Sequence, residues 1–250
     1  MAKPGESGPH GSLSGLPSLQ PLPTAAERAA DVIRENIFEG RFVPGTALPE
    51  AALANALQVS RNTVREAFRT LIGEHLLAHE PHKGVMVRRL AVADVRDIYR
   101  LRRMFELSAL DGVAVEALDV AQLDAFVTLA ERAVANELWD DVGTANQRFH
   151  AELVNAHQSI RINEIFRRLM TEMRLGFLAF TDPAVLHAPF VARNRELHGC
   201  LAAGKLAEAR HKLANYLDEA EEIIVKAVRG NAVRSNDDAA NDDAELVEHE

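Results

Sequence analysis

The sequence predicts a mainly α protein: three short helices and a small β-hairpin at the front, followed by an all-α antiparallel helical bundle. Three observations carry this. Apolar residues recur at three- and four-residue spacing through most of residues 25–229. One Pro/Gly turn, Pro81-His82-Lys83-Gly84, separates two short β-prone runs, and nothing after Ala91 reads as a strand. The composition is rich in Ala and Leu, with 47% apolar residues but only 5% aromatics.

The elements follow in chain order. Residues 1–23 are rich in Gly, Pro and Ser and lack periodicity, so a disordered arm is expected there. Thr24 can cap a helix that runs to Phe38 and turns Ala30, Ile33 and Ile37 inward. Gly40 ends it, and Arg41 to Thr46 reads as a turn. A second helix carries Leu48, Ala51, Leu53, Ala54 and Leu57 at helical spacing. Gln58-Val59-Ser60 interrupts it, and the Ser60 hydroxyl can take an orphan amide of a third helix over about 60–72. Val64, Phe68 and Leu71 fall at i, i+4 and i+7 and share a buried stripe.

The opposite side of that third helix carries Ser60, Arg61, Asn62, Thr63, Arg65 and Arg69. Arginine forks onto guanine edges or phosphates, asparagine pairs with adenine, and a helix N-terminus favours phosphate. The pair therefore reads as a helix-turn-helix with its recognition helix at 60–72. Two runs, His75 to Glu80 and Val85 to Arg88, then form a hairpin in the position of a wing. Its tip, His82, Lys83 and Gly84, suits a minor groove or a phosphate backbone; the plain alternative is a solvated turn.

From Ala91 the pattern changes to amphipathic stretches at about 91–116, 120–137, 139–157, 159–180, 187–203 and 205–229. Short breaks between them imply antiparallel neighbours, hence a bundle. Residues 231–250 hold seven acids and only Arg234, without apolar periodicity, and are expected to be a disordered acidic tail. The expected organisation is an arm (1–23), a winged helix-turn-helix domain (24–90), a helical domain (91–229) and the tail (230–250).

The formal net charge of −9 looks unfavourable for a nucleic-acid partner until it is located. Residues 24–90 hold nine Arg or Lys against eight Asp or Glu, while the tail holds most of the excess acid. A near-neutral domain still binds DNA through a clustered basic face. The lone cysteine, Cys200, excludes an internal disulfide framework. No apolar run approaches the roughly 20 residues that span a bilayer, and no signal peptide is visible, so a cytoplasmic protein without a membrane partner is expected. No nucleophile with an oriented base, phosphate loop or HExxH pattern is present, which argues against an enzyme. The alternatives kept in view are a helical metal-dependent enzyme and an interaction module that does not bind DNA.

At the motif level the chain resembles a known family. Glu39-Gly40-Arg41-Phe42-Val43-Pro44-Gly45-Thr46-Ala47-Leu48-Pro49-Glu50, then Leu53-Ala54 and Val59-Ser60-Arg61-Asn62-Thr63-Val64-Arg65-Glu66-Ala67, are similar to the winged helix-turn-helix of GntR-family regulators. Tyr99-Arg100-Leu101-Arg102-Arg103-Met104-Phe105-Glu106 and Asn146-Gln147-Arg148-Phe149-His150 resemble the FCD effector domain of the FadR subfamily. The resemblance spans about residues 25–228. It implies a homodimeric transcriptional regulator, a repressor by expectation, that reads a palindromic operator in double-stranded DNA. A small organic acid in the helical domain, often beside a metal, would change its DNA affinity. Ser60, Arg61, Asn62, Thr63 and Arg65 match the DNA-contacting positions, and His82, Lys83 and Gly84 those of the wing. One departure is His75, which stands where the family usually has Gly.

For the helical domain, Asn146 and His150 lie at i and i+4, a spacing that suits two ligands of one metal ion. The resemblance adds two histidines from the last two helices, but this chain carries Asn194 and Tyr216 there. The leading reading is a buried His150 hydrogen-bonded to Asn146 or Tyr216. In the other a divalent metal is bound, with His198, one turn after Asn194, as the substitute ligand and zinc or nickel as the ion that imidazole plus amide suits. Arg102 sits mid-helix with Leu101, Phe105 and Ala109 nearby. An arginine pointing into a bundle needs an anion, either an effector carboxylate or an internal partner such as Glu106. Arg102, Asn146, His150, Asn194 and Tyr216 are thus the expected effector contacts. His157, His187 and His211 are expected at the surface or hydrogen-bonded, Cys200 in the core, and Trp139 in packing.

Overall fold

The chain is described here by a computed structural model covering residues 22–111, 117–178, 180 and 182–247, with side chains as far as Gly230. Most of the expected N-terminal arm (residues 1–21), the end of the first bundle stretch (112–116) and residues 248–250 lie outside the described residues.

The first helix, α1 (Ala25–Phe38), opens with a capping box in which Thr24 and Glu27 satisfy each other's backbone amides. It buries Ala29, Ala30, Ile33 and Ile37. Next come α2 (Glu50–Leu57) and α3 (Arg61–Gly73), separated by a left-handed Gln58. Ser60 caps α3 by accepting the Thr63 amide at 3.0 Å, and Val64, Ala67, Phe68 and Leu71 form its buried face. Arg34 clamps α1 to the end of α3 with two 2.9 Å bonds onto the Glu74 carboxylate.

Strands β1 (Leu77–Glu80) and β2 (Gly84–Val87) pair antiparallel, with Leu77 opposite Val87 and Glu80 opposite Gly84. The end of the segment expected as a turn pairs along the far edge of β2, together with Ala47 and with Leu48, which was expected to open the second helix; that helix starts at Glu50. Gly45 donates to Val87 at 2.8 Å, Leu48 to Val85 at 2.8 Å, and Ala47 bridges Met86. This satisfies an edge that would otherwise present unpaired backbone groups. Gly45, at φ +94°, lies so close under the Arg89 guanidinium that a Cβ would come within 2.2 Å of it. His75 adopts φ +59°, the left-handed region, at the position where glycine would be easiest.

The bundle begins with α4 (Val92–Arg102), which winds through a π-helical turn at Arg103–Leu107 into α5 (Ser108–Asp111). Then follow α6 (Val120–Ala135), α7 (Trp139–Asn155), α8 (Ile160–Phe177), α9 (Pro183–Ala202) and α10 (Leu206–Val247). The last two differ from expectation. Helix α9 starts four residues early, because Asp182 caps it and Pro183 is tolerated in a first turn. The α10 backbone stays helical past Gly230, where the acidic tail was expected to be disordered. Once a helix is nucleated, each further residue adds a bond even without an apolar face to bury. Helix α7 packs against α6, α8, α9 and the π turn, and α10 against α4 and α9.

The two halves share one continuous core. Arg88, just after β2, bonds Asp94 of α4 at 2.8 Å and Glu172 of α8. Arg174 of α8 lays its guanidinium 4.8 Å from the centre of the Phe38 ring on α1. Gly176 lets α8 approach closely, since a Cβ there would meet Ile224 at 3.2 Å and Leu90 at 3.6 Å.

Candidate nucleic-acid interface and bundle cavity

The polar face of α3 is presented outward. Ser60, Arg61, Asn62, Arg65 and Arg69 are exposed, with Thr63 half-buried beside them, so the cations expected to read DNA are not packed inside. Burial of Val64, Phe68 and Leu71 fixes this orientation, because a helix that sinks one stripe must turn the opposite one to solvent. Two of the polar groups carry internal partners that local pattern did not reveal. Arg65 bonds Glu50 of α2 at 2.8 Å, and Asn62 bonds Glu66 one turn on at 3.0 Å. At the wing tip His82 and Lys83 are exposed, and Lys83 lies 3.3 Å from Glu80. Surface pairs of this kind are worth little and exchange readily for phosphate.

The second constellation lies inside the bundle. Arg102 is 3% exposed, and Glu106 and His150 are fully buried. Arg102 donates through Nε to Glu106 Oε1 at 2.8 Å, and the other carboxylate oxygen meets His150 Nδ1 at 2.6 Å. Burial alone would raise the Glu106 carboxyl, but the Arg102 charge and the His150 bond outweigh it and hold it ionised. Burial pushes the His150 imidazole down, so it stays neutral despite Glu106. The partner of His150 is therefore Glu106, not Asn146 or Tyr216 as expected, although the Tyr216 ring packs against it, tilted by 57°, at 4.8 Å between centroids. The π turn spans Arg103–Leu107 and so contains Glu106, whose side chain meets both Arg102 and α7.

Asn146 and Asn194 do meet, as do Asn146 and Tyr216. The Asn146 Oδ1 accepts from Asn194 Nδ2 at 2.6 Å and from the Tyr216 hydroxyl at 2.8 Å. His198 does not join them: its Nδ1 lies 3.8 Å from Asp124 on α6, beside the Arg195 ion pairs with Asp124 and Glu131. Three buried polar atoms in this cluster have no partner: Arg102 Nη2, His150 Nε2 and Asn194 Oδ1.

These donors do not fit a divalent cation. Both lone pairs of the Asn146 oxygen are used, burial keeps the Tyr216 phenol protonated, and both Glu106 oxygens are taken. Only His150 Nε2 and the Asn194 amide oxygen remain as ligand atoms without partners, too few for a closed site, and among the described residues no group of three His, Cys, Asp or Glu is arranged to hold a metal. The expected set of Asn146, His150 and His198 is not brought together, because α9 turns His198 toward α6.

A small cavity of about 20 Å³ lies beside the cluster, walled by Tyr99, Arg102, Asn146, Phe190 and Tyr216, with Phe177 and His187 at one side. His187 and Phe177 also wall a second cavity, of about 30 Å³, whose far side is Phe38 of α1. His187 was expected at the surface or hydrogen-bonded. It is instead buried against Gly143, where burial and the nearby Arg174 charge push its pKa down to about 4. His157 bonds the Phe105 carbonyl at 2.8 Å, and Cys200 is buried as expected.

Against known proteins, residues 25–87 match the model of the bacterial regulatory proteins, gntR family, and residues 97–219 match the FCD domain. An HTH-type transcriptional regulator of Bacillus subtilis (strain 168), YdhC, is 33% identical over 195 residues, covering 76% of this chain and 87% of that protein. A relative described as a probable D-xylose utilization operon transcriptional repressor, from Paenarthrobacter nicotinovorans, is 27% identical over 78% of this chain and 86% of its own length. Among solved structures, one described as a transcriptional regulator GntR from Rhodococcus sp. RHA1 superposes with a TM-score of 0.76. It is 39% identical and covers 81% of this chain and 98% of its own.

Proposed function

The chain belongs to the gntR family of bacterial regulatory proteins, and on that premise we propose that it works as a homodimeric repressor whose grip on a palindromic operator changes when a small carboxylate enters the bundle. It is a DNA-binding transcriptional regulator and not an enzyme, as its relatives are. Membership of the FCD group makes the helical half the effector domain. No described helix is long and apolar enough to cross a membrane, and action in the cytoplasm is part of the proposal.

The observation that carries the DNA reading is the exposed face of α3, with Arg61 and Arg69 free of described ion pairs. A single copy presents one such face, and two half-sites need two copies. Repression is supported by the name of the Paenarthrobacter relative, a probable D-xylose utilization operon transcriptional repressor. The effector reading is supported by Arg102, a buried guanidinium with one free edge beside a cavity. The deciding experiment is selection of binding sites from random duplexes by the full chain, followed by mobility shifts over a salt series. The expected result is a short palindrome with a steep salt slope. Failure to enrich any sequence, with no shift at low salt, rejects the reading.

A further inference from the structure

We propose that this chain takes its effector without a metal ion, through the free edge of Arg102, and that the effector is a small monocarboxylate with an apolar body. The inference rests on the reading of the bundle as an effector domain and adds the chemistry of what it accepts.

Three observations support it. The first is that the polar cluster offers a cation too few ligands, with only His150 Nε2 and Asn194 Oδ1 left as ligand atoms without partners. Asn146 spends its oxygen on Asn194 and Tyr216, and Glu106 spends both of its oxygens on Arg102 and His150. In a chain that must hold a carboxylate without a cation, a guanidinium is the natural replacement, because its fork matches the two carboxylate oxygens. The second is that Arg102 is only half used: Nε is committed to Glu106, while Nη2 is buried without a partner and the side chain lines the cavity. An orphaned charged donor inside a protein is costly, so an entering carboxylate relieves a penalty already present. The third is the character of the walls. Half of the lining is apolar: Phe177, Leu186, Phe190, Ala220 and Ile224. Hydroxyls of a polyhydroxylated acid set against that half would be buried without partners, whereas an aliphatic or aromatic body has none to lose.

The cavity as it stands, about 20 Å³, holds about one water-sized atom. Entry of an acid must therefore widen the cavity, and we take α9 as the wall that moves. Pro189 lies inside α9 between His187 and Phe190 and removes one of that helix's backbone bonds, which weakens the wall that has to move.

The test uses the full chain and named probes. Hexanoate, benzoate and gluconate are each titrated calorimetrically and by thermal shift, in EDTA and with added Zn²⁺ or Ni²⁺, and the washed protein is assayed for metal. The expected result is binding of hexanoate or benzoate that EDTA leaves unchanged, with no stoichiometric metal. Arg102→Met should weaken that binding roughly 10- to 100-fold, the loss of a charge-assisted pair. Because that variant also strips Glu106 of its partner, Ala220→Leu, which fills the cavity and leaves the charged cluster intact, provides a second arm and should abolish the response. Gluconate binding that requires Zn²⁺, or zinc retained one-to-one through EDTA, overturns the proposal while leaving the effector domain standing. Silence from every acid under every condition overturns both, and mobility shifts report DNA binding separately.

Discussion

Arg102 and Glu106 show how much a single buried pair governs in this protein. Each is nearly or wholly inaccessible, and each is tolerable only because the other is there. Glu106→Gln leaves a buried guanidinium without its counter-charge, and urea denaturation should find a loss of about 3 kcal/mol or more. His75 offers the opposite case. Its φ of +59° costs a non-glycine residue about 1–2 kcal/mol, partly offset by the extra chain entropy that glycine loses on folding. His75→Gly is therefore expected to raise stability by about 0.5–1 kcal/mol with an unchanged denaturant slope. On α3, Arg61 is an exposed cation with no described partner. Arg61→Ala should weaken operator binding and, if the contact is to phosphate, flatten the log–log salt slope by about one; an unchanged affinity would remove Arg61 from the interface. The caps and faces at these positions were legible in sequence. The Glu106–His150 bond was not, because its partners stand 44 positions apart and nothing local marks them as neighbours.

Among the elements, the decisive contact lies between α8, α9 and α1. His187 and Phe177 belong to the walls of both cavities, and Phe38 closes the outer one beneath the Arg174 guanidinium. Displacement of α9 by a bound acid would therefore reach the DNA-reading half through packed side chains. Phe38→Ala is expected to leave operator binding in the absence of acid within about threefold, a difference of well under 1 kcal/mol. It should also blunt the change in affinity that the acid causes. Mobility shifts with and without hexanoate check this, and a full response in the variant rejects the route. The sequence supplied the helix-turn-helix, the hairpin and the bundle helices, but not the π turn inside the first of them or the extension of α10 to Val247. It missed the pairing of Ala47 with Met86, since a single bridge leaves no alternation to detect. It also misjudged His187 and His198, whose surroundings depend on how α9 is rotated against α6 and α7.

For the molecule as a whole, pH is the simplest probe. His187 has its pKa pushed from the ordinary 6.5 down to about 4, mainly by burial. Above pH 6.5 both folded and unfolded chains leave it neutral, so it costs nothing there. As pH falls from 6.5 toward 4, the unfolded chain takes up a proton that the folded chain refuses, and stability drops by roughly 3 kcal/mol. His187→Gln should flatten that slope in urea denaturation at pH 7, 5.5 and 4.5; an unchanged slope would show that His187 is not its source. Charge at this scale was readable from the sequence: the acidic excess falls mainly in residues 231–250, outside the near-neutral stretch 24–90.

What the sequence by itself determined are the helices, their caps, the exposed basic face of α3 and the family. All of these depend on residues within a few positions of one another or on ordered motifs. Only the tertiary structure decided which group answers Arg102 and His150, why Asn146 is spent on hydrogen bonds, and where His187 and His198 point. Partners of buried polar groups come from helices far apart in the chain, and their choice follows from how those helices rotate to bury apolar faces, which no local pattern encodes.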